Sequence, residues 1–310
     1  MELTEGLVDR LQRLQKKYDA MGQNLESYLD GLLYADYLTY WDYVQLDTLL
    51  SLQKPRTPVP DEEIFIIYHQ ITELYFKLII KAIRQLATTE ALTATLFKRQ
   101  LARVNDYFEN LVHSFDIMVE GMDKDEFLQF RMSLLPASGF QSAQYRLIEL
   151  MSAPVHALTH PSLRESLAPN APLSELLPCL YWRSGATELA TGKKTLTLQQ
   201  FEQKYGTLFE QTAHEFEQHN LAALFQSLPD TDKADPELRE LLRQHDLNAN
   251  VRWNLMHYKS AVRYLDRKPQ EIAATGGTNW QKYLPPRFQR IIFFPFLFSE
   301  DEITNWGTNQ

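Results

Sequence analysis

With a single cysteine, Cys179, the 310-residue chain can form no internal disulfide and no multi-cysteine metal site. Glycine is scarce as well. Eleven residues are about half the ~7% that proteins usually carry, which leaves little material for tight turns and favours helices. Positive charge is in deficit: 31 Lys and Arg against 40 Asp and Glu give a net charge of -9, so nothing draws the chain generally to phosphate backbones or anionic membranes. A membrane-spanning run is also missing. The most apolar stretch near the end, "IIFFPFLF" (Ile291 to Phe298), is far short of the ~20 residues a spanning helix needs, and Pro295 interrupts it. The opening "MELTEGLVDR" lacks the basic segment and apolar core of a secretory signal. These absences make the cytoplasm the expected location and exclude nucleic acid and membrane as expected partners.

What remains is ordinary globular composition, 44% hydrophobic and 23% charged, with helical periodicity. Leu7, Leu11, Leu14, Tyr18, Met21, Leu25, Tyr28 and Leu32 follow steps of four and three, a seam that predicts one N-terminal helix over 1–33 packed against a partner helix, in the same domain or another subunit. "YADYLTYWDYVQLDTLLSLQ" places Tyr40, Tyr43, Leu46, Leu49 and Leu50 on one helical face. After a proline-punctuated connection, "DEEIFIIYHQITELYFK" carries two stripes: Ile64, Ile67, Ile71, Leu74 and Leu78, and beside them Phe65, His69, Thr72 and Phe76. Apolar on two sides, it reads as a central helix. A helix through "EFLQFRMSLL" is expected to stop at Pro136, with Ser138 and Gln141 spaced as a capping box for the next one. One helix is read through "LTLQQFEQKYGTLFEQTAHEFEQHNLAALFQSL" and a last one through "NANVRWNLMHYKSAVRYL". The simplest account is a single all-α domain over 1–310.

Two histidines interrupt apolar helix faces. His69 sits in the central helix, and His257 lies one turn from Trp253 and just over a turn from Ala261. On pattern alone each is read first as a satisfied core or surface residue, although a lone histidine in an apolar face is also what an axial haem ligand looks like. Arg131, one turn from Phe127 and next to Phe130, suits a planar substrate bearing a carboxylate, or else a salt bridge. "HEFEQH" lacks the i, i+4 spacing of a zinc-protease motif, and His156 and His160 have no completing ligand nearby, so neither pair receives a role.

Taken in order, these segments resemble the tryptophan 2,3-dioxygenase family of haem enzymes. The resemblance rests on "DEEIFIIYHQITELYFK", on "FLQFR" followed by "SGFQSAQYRLIEL", on "YADYLTYWDYVQLDTLL", on "RWNLMHYKSAVRYL", on a Thr-Gly-Gly loop after it, and on "FFPFLF". It covers most of 34–150 and 245–298, and is weak or absent over 152–244. It implies an all-α fold with a haem pocket between helices. His257 would be the axial ligand of haem b, and Phe115 falls near a tryptophan of that site. His69 would take a hydrogen bond from the substrate indole NH, with Phe65 packed against indole and haem. Arg131 would pair with the substrate carboxylate and Thr275 with its ammonium and carboxylate end. Tyr40 and Tyr43 would close the pocket from a neighbouring subunit of a homotetramer.

The implied reaction uses O2 to cleave the indole C2–C3 bond of L-tryptophan, giving N-formylkynurenine as the first step of kynurenine-type tryptophan catabolism. Departures cluster at the substrate's amino-acid end. Phe127 stands where the family has a carboxylate-binding tyrosine, and the Thr275 loop lacks its flanking glycine and serines. A modified indole or related aromatic amino acid therefore stays open as substrate. So do a same-superfamily haem monooxygenase, a non-catalytic haem-binding protein and a haem-free helical interaction protein.

Overall fold

Gly22 and Asn24 break what reads as one N-terminal helix. The computed structural model describes residues 3–35, 38–134, 141–184, 186, 193–267, 270–271 and 284–308. Helix α1 (Glu5–Ala20) ends where Gly22 takes φ +65° and Gln23 N–H reaches the Tyr18 carbonyl, a left-handed stop that glycine adopts without strain. Asn24 then caps α2 (Leu25–Leu33) by accepting from the amides of Glu26 and Ser27. The two helices fold back on each other, with the Tyr18 and Tyr28 rings 4.7 Å apart edge to face. The expected helix through the aromatic segment is likewise two single turns, α3 (Tyr40–Tyr43) and α4 (Leu46–Leu49), split by Gln45 at φ +54°.

These elements belong to the first of two compact units, Met1–Lys54, among whose described residues Leu25 alone is buried. Leu7, Leu14, Met21, Tyr28 and Leu32 all stay exposed, so the heptad-like seam is not consumed within this unit.

The second unit, Pro55–Gln310, is built on α5 (Asp61–Ala87). Its entry is fixed by Glu62, whose buried carboxylate accepts from the Arg56 and Thr57 amides (2.9 and 2.7 Å) and the Thr57 hydroxyl (2.6 Å). Burial alone would raise its pKa; those donors outweigh it and the pKa falls. Neither expected apolar stripe is covered throughout: in the second Thr72 and Phe76 are buried, Phe65 is part-buried and His69 exposed, while in the first Ile64 and Ile71 are part-buried and Ile67, Leu74 and Leu78 lie exposed. Tyr68, Ile79 and Ile83 are buried beside Thr72 and Phe76. Hydrophobic spacing marks both stripes but does not say which of their residues this chain covers.

Against the covered face pack α6 (Ala94–Ser114), α7 (Asp116–Val119), α8 (Lys124–Phe130) and α9 (Ala143–Ser152). Phe97, Leu101, Val104 and Phe108 of α6 and Ile148 and Met151 of α9 are fully buried there, each contributing roughly 1.5–3 kcal/mol. α8 gives way to a 3-10 turn, Arg131–Leu134. The cap of α9 is Ser142, which accepts from the Tyr145 amide, in place of the expected Ser138 box; Pro136 and Ser138 lie outside the described residues.

Short helices α10 (Pro161–Arg164), α11 (Leu173–Leu176) and α12 (Tyr181–Ser184) lead to α13 (Leu196–Glu215), α14 (Leu221–Ser227) and α15 (Asp230–Lys233). The single helix expected across α13 and α14 is interrupted because Asn220 caps α14 by accepting from the Ala223 amide. α9 carries this middle third on a buried polar knot. Arg146 pairs with Glu149 at 3.0 Å and donates to the Tyr181 hydroxyl at 3.0 Å, and Tyr181 donates to Glu149 at 2.6 Å. Burial opposes the Arg146 charge, but the adjacent carboxylate more than compensates and its pKa rises.

α16 (Pro236–Leu247) continues through a π turn, Asn248–Arg252, into α17 (Trp253–Leu265). One inserted residue rotates everything after it by about 100° about the helix axis. The Tyr145 hydroxyl donates to the Ala249 carbonyl at 2.8 Å, stabilising that wide turn. Buried Asp246 accepts from the Phe294 amide (2.9 Å) and from Asn250 (2.7 Å), seating the Phe-rich end, whose Ile291, Phe293 and Phe294 are buried. Apart from the two-residue antiparallel pair Asp266–Arg267 and Gln270–Glu271, the described elements are helical. Among the described residues no helix is long and apolar enough to cross a membrane.

Candidate functional site

α5 and α17 share α6, α7 and α8 as packing partners, and between them they bring His69 and His257 into electrostatic reach. The two side chains are prepared in the same way. His69 Nδ1 lies 2.7 Å from the Phe65 carbonyl, and His257 Nδ1 lies 3.1 Å from the Trp253 carbonyl, each one helical turn back. A carbonyl can only accept, so Nδ1 carries the proton in both rings and Nε2 keeps its lone pair. No partner occupies either Nε2 among the described residues.

Burial pushes His257 down to about 4; the Trp253 hydrogen bond opposes this and the nearby His69 adds a smaller lowering. His69 is also lowered, first by desolvation, against the opposing effects of the Phe65 carbonyl and Glu73. Yet the His69 ring is exposed to solvent and His257 only half-buried. Two neutral imidazoles therefore keep an Nε2 lone pair at pH 7, which chemically suits either metal binding or accepting from an N–H group.

Aromatic rings form the wall between them. Phe115, at the α6–α7 junction, stands 4.6 Å edge to face from His257, 5.0 Å from Trp253 and 5.4 Å from Tyr68, whose ring is 5.5 Å from His69. Trp253 itself lies 4.6 Å from His257. On the other side Phe65 contacts His69 at 4.1 Å and reaches Phe130 at 5.8 Å and Phe127 at 6.4 Å. Phe127 packs against Tyr264 of α17 at 4.5 Å, and Tyr264 donates to the Met118 carbonyl. Arg131 follows Phe130 directly; it is 5% exposed and burial lowers its pKa.

The structure thus brings together Phe65, His69, Phe115, Phe127 and His257, with Arg131 beside them. Tyr40 and Tyr43 belong to the other unit and are 72% and 77% exposed. Thr275 lies outside the described residues. Tyr68, Trp253 and Tyr264 went unassigned by sequence reasoning. Of these only Trp253 carried a signal, its position one turn before His257. Four other histidines are engaged elsewhere: His156 Nε2 donates to the Leu167 carbonyl, His160 bonds Ser162, His219 Nδ1 donates to the Glu215 carbonyl, and His245 bonds Ser152. Among the described residues no group of three or more His, Cys, Asp or Glu is placed to hold a metal ion.

Comparison with known proteins bears on the same residues. The model of the tryptophan 2,3-dioxygenase family matches residues 22–153. A tryptophan 2,3-dioxygenase of Ruegeria sp. (strain TM1040) is 44% identical over 120 residues, 37% of this chain and 42% of that protein. One of Polaromonas naphthalenivorans (strain CJ2) is 42% identical over 114 residues, 36% of this chain and 40% of its own length. One of Bacillus thuringiensis (strain Al Hakam) is 37% identical over 135 residues, 42% of this chain and 47% of its own length. The chain spans less than half the length of these three curated relatives. Tyr40, Tyr43, Phe65, His69, Phe115, Phe127 and Arg131 fall inside the family match; His257 and Thr275 fall beyond it.

Proposed function

We propose that this chain, which belongs to the tryptophan 2,3-dioxygenase family through residues 22–153, is a haem-dependent dioxygenase that opens the indole ring of L-tryptophan. The observation that carries the reading is the pair of Nδ1-anchored imidazoles, His69 and His257, linked through the Tyr68 and Phe115 rings. The donor set fits haem b. A neutral imidazole whose Nδ1 is held by a carbonyl, as in His257, would hold a haem iron, and the aromatic wall would suit a flat macrocycle. His257 would hold the haem, which would supply iron chemistry for the use of O2.

The remaining work falls to the protein. Phe65 and the aromatic wall exclude water and hold an indole flat. His69 Nε2 accepts from the indole N–H, which fixes the ring's orientation, and no general base is needed. Arg131 pairs with the substrate carboxylate, so the amino-acid end is held by charge while the ring is held by shape. The C2–C3 bond breaks, both atoms of one O2 enter the product, and N-formylkynurenine results. Thr275 is assigned the ammonium and carboxylate end, and Tyr40 and Tyr43 the closing of the pocket from a neighbouring subunit. The exposed apolar seam of the N-terminal unit supports assembly of copies, a homotetramer on this reading.

The test is haem loading followed by turnover. Purified protein titrated with haem should take it up, and the ferrous form in air should convert tryptophan to N-formylkynurenine. Haem uptake without turnover of tryptophan or any related indole amino acid would defeat the assignment.

A further inference from the structure

A cleft of about 540 Å³, lined mostly by residues beyond the family match, lies among α9, the 3-10 turn Val155–Leu158, α11, the α13–α14 turn and the Phe-rich end. Its volume is that of a small-molecule site. The floor is apolar, with Val155, Phe216 and Phe293 buried, and exposed Asn170, Glu217 and Gln226 stand at the rim. The wall is preformed. Asn220, 1% exposed, donates to the Phe216 and Glu217 carbonyls at 2.9 and 3.1 Å and accepts from the Ala223 amide at 3.0 Å, which locks the turn that presents Phe216 and Glu217.

The electrostatics of this cleft are one-sided. Glu217 is the one Asp or Glu among its described lining residues, and Lys and Arg are absent from them. Glu217 stands two residues past the last residue of the 20-residue helix α13, at the exposed rim. A carboxylate or phosphate would find no Lys or Arg here, whereas a cation would meet the Glu217 carboxylate together with the aromatic residues Phe216 and Phe293.

We propose that this cleft is a second ligand site, selective for an arylalkylammonium ion and closed to amino acids and other carboxylates. It stands on residues separate from His69 and His257 and does not depend on the haem reading. The probes are 2-phenylethylammonium and its anionic counterpart 3-phenylpropionate, each followed on the intact chain by saturation-transfer NMR and calorimetry. The ammonium should bind and the anion should not. Ala223→Phe, which fills the cleft, should abolish binding with the thermal melt retained. Glu217→Gln, at an exposed position that does not threaten folding, should weaken it roughly two- to fivefold and remove its salt dependence. His69→Ala should leave it unchanged. Equal binding of the anion, undiminished binding in Ala223→Phe, binding unaltered in Glu217→Gln, or loss in His69→Ala would each overturn the proposal.

Discussion

Replacing Arg131 by Met keeps length and packing while deleting the one charge assigned to the substrate's carboxylate. Arg131 exposes only 5% of its surface, and burial already lowers its pKa, so little solvent is present to screen the pair it would form. Removing one partner of a buried charge pair costs about 2–5 kcal/mol, which at 1.4 kcal/mol per decade is roughly a 30- to 5,000-fold loss in kcat/KM. The loss should fall mainly on KM, because the carboxylate is remote from the bond being broken. Steady-state rates with tryptophan and with tryptamine, which has no carboxylate, separate this role from a structural one. Tryptophan should lose the full factor and tryptamine no more than about threefold. Equal losses for both substrates, or a loss under threefold for tryptophan, would refute the reasoning.

His69→Ala should keep haem but lose discrimination between tryptophan and N1-methyltryptophan, since the wild-type preference comes from an N–H donated to Nε2; an unchanged preference ratio would contradict this. Buried His245, lowered by desolvation to about 3 and bonded to Ser152, stays neutral in the fold. Its folded pKa lies below its unfolded ~6.5, so its contribution is complete above pH 6.5 and declines as pH falls toward 3. Urea melts should show the wild type giving back about 2–3 kcal/mol relative to His245→Gln between pH 7 and 4.5. Glu149→Gln strands the buried Arg146 charge and should cost about 3–5 kcal/mol by denaturant unfolding, with Arg146→Met in the same chain recovering much of it.

Periodicity in the sequence locates most of the long helices and misses what happens between and within them. The seam from Leu7 to Leu32 keeps its spacing straight through Gly22, because two helices joined by a tight turn can share a rhythm while a local cap decides the break. Asn220 does the same between α13 and α14. Ile67, Leu74 and Leu78 read as core and are exposed, since burial in a partner and burial in the same chain look identical in one sequence. The π turn before Trp253 leaves no periodic trace, yet it sets the rotation of the helix that carries His257. In the site, Phe65 and His69 were legible as neighbours on one helical face. The contacts of Phe115 with Tyr68, Trp253 and His257 join distant segments, and only the packing of α5, α6 and α17 brings them together.

The most direct measurement of the central claim is the mass of the product formed from tryptophan by haem-loaded ferrous protein under 18O2, with His257→Ala run in parallel. The account predicts both oxygen atoms of one O2 in N-formylkynurenine from the wild type and no product from His257→Ala. Incorporation of a single labelled atom would assign a monooxygenase instead, and full activity in His257→Ala would contradict the proposal that His257 holds the haem.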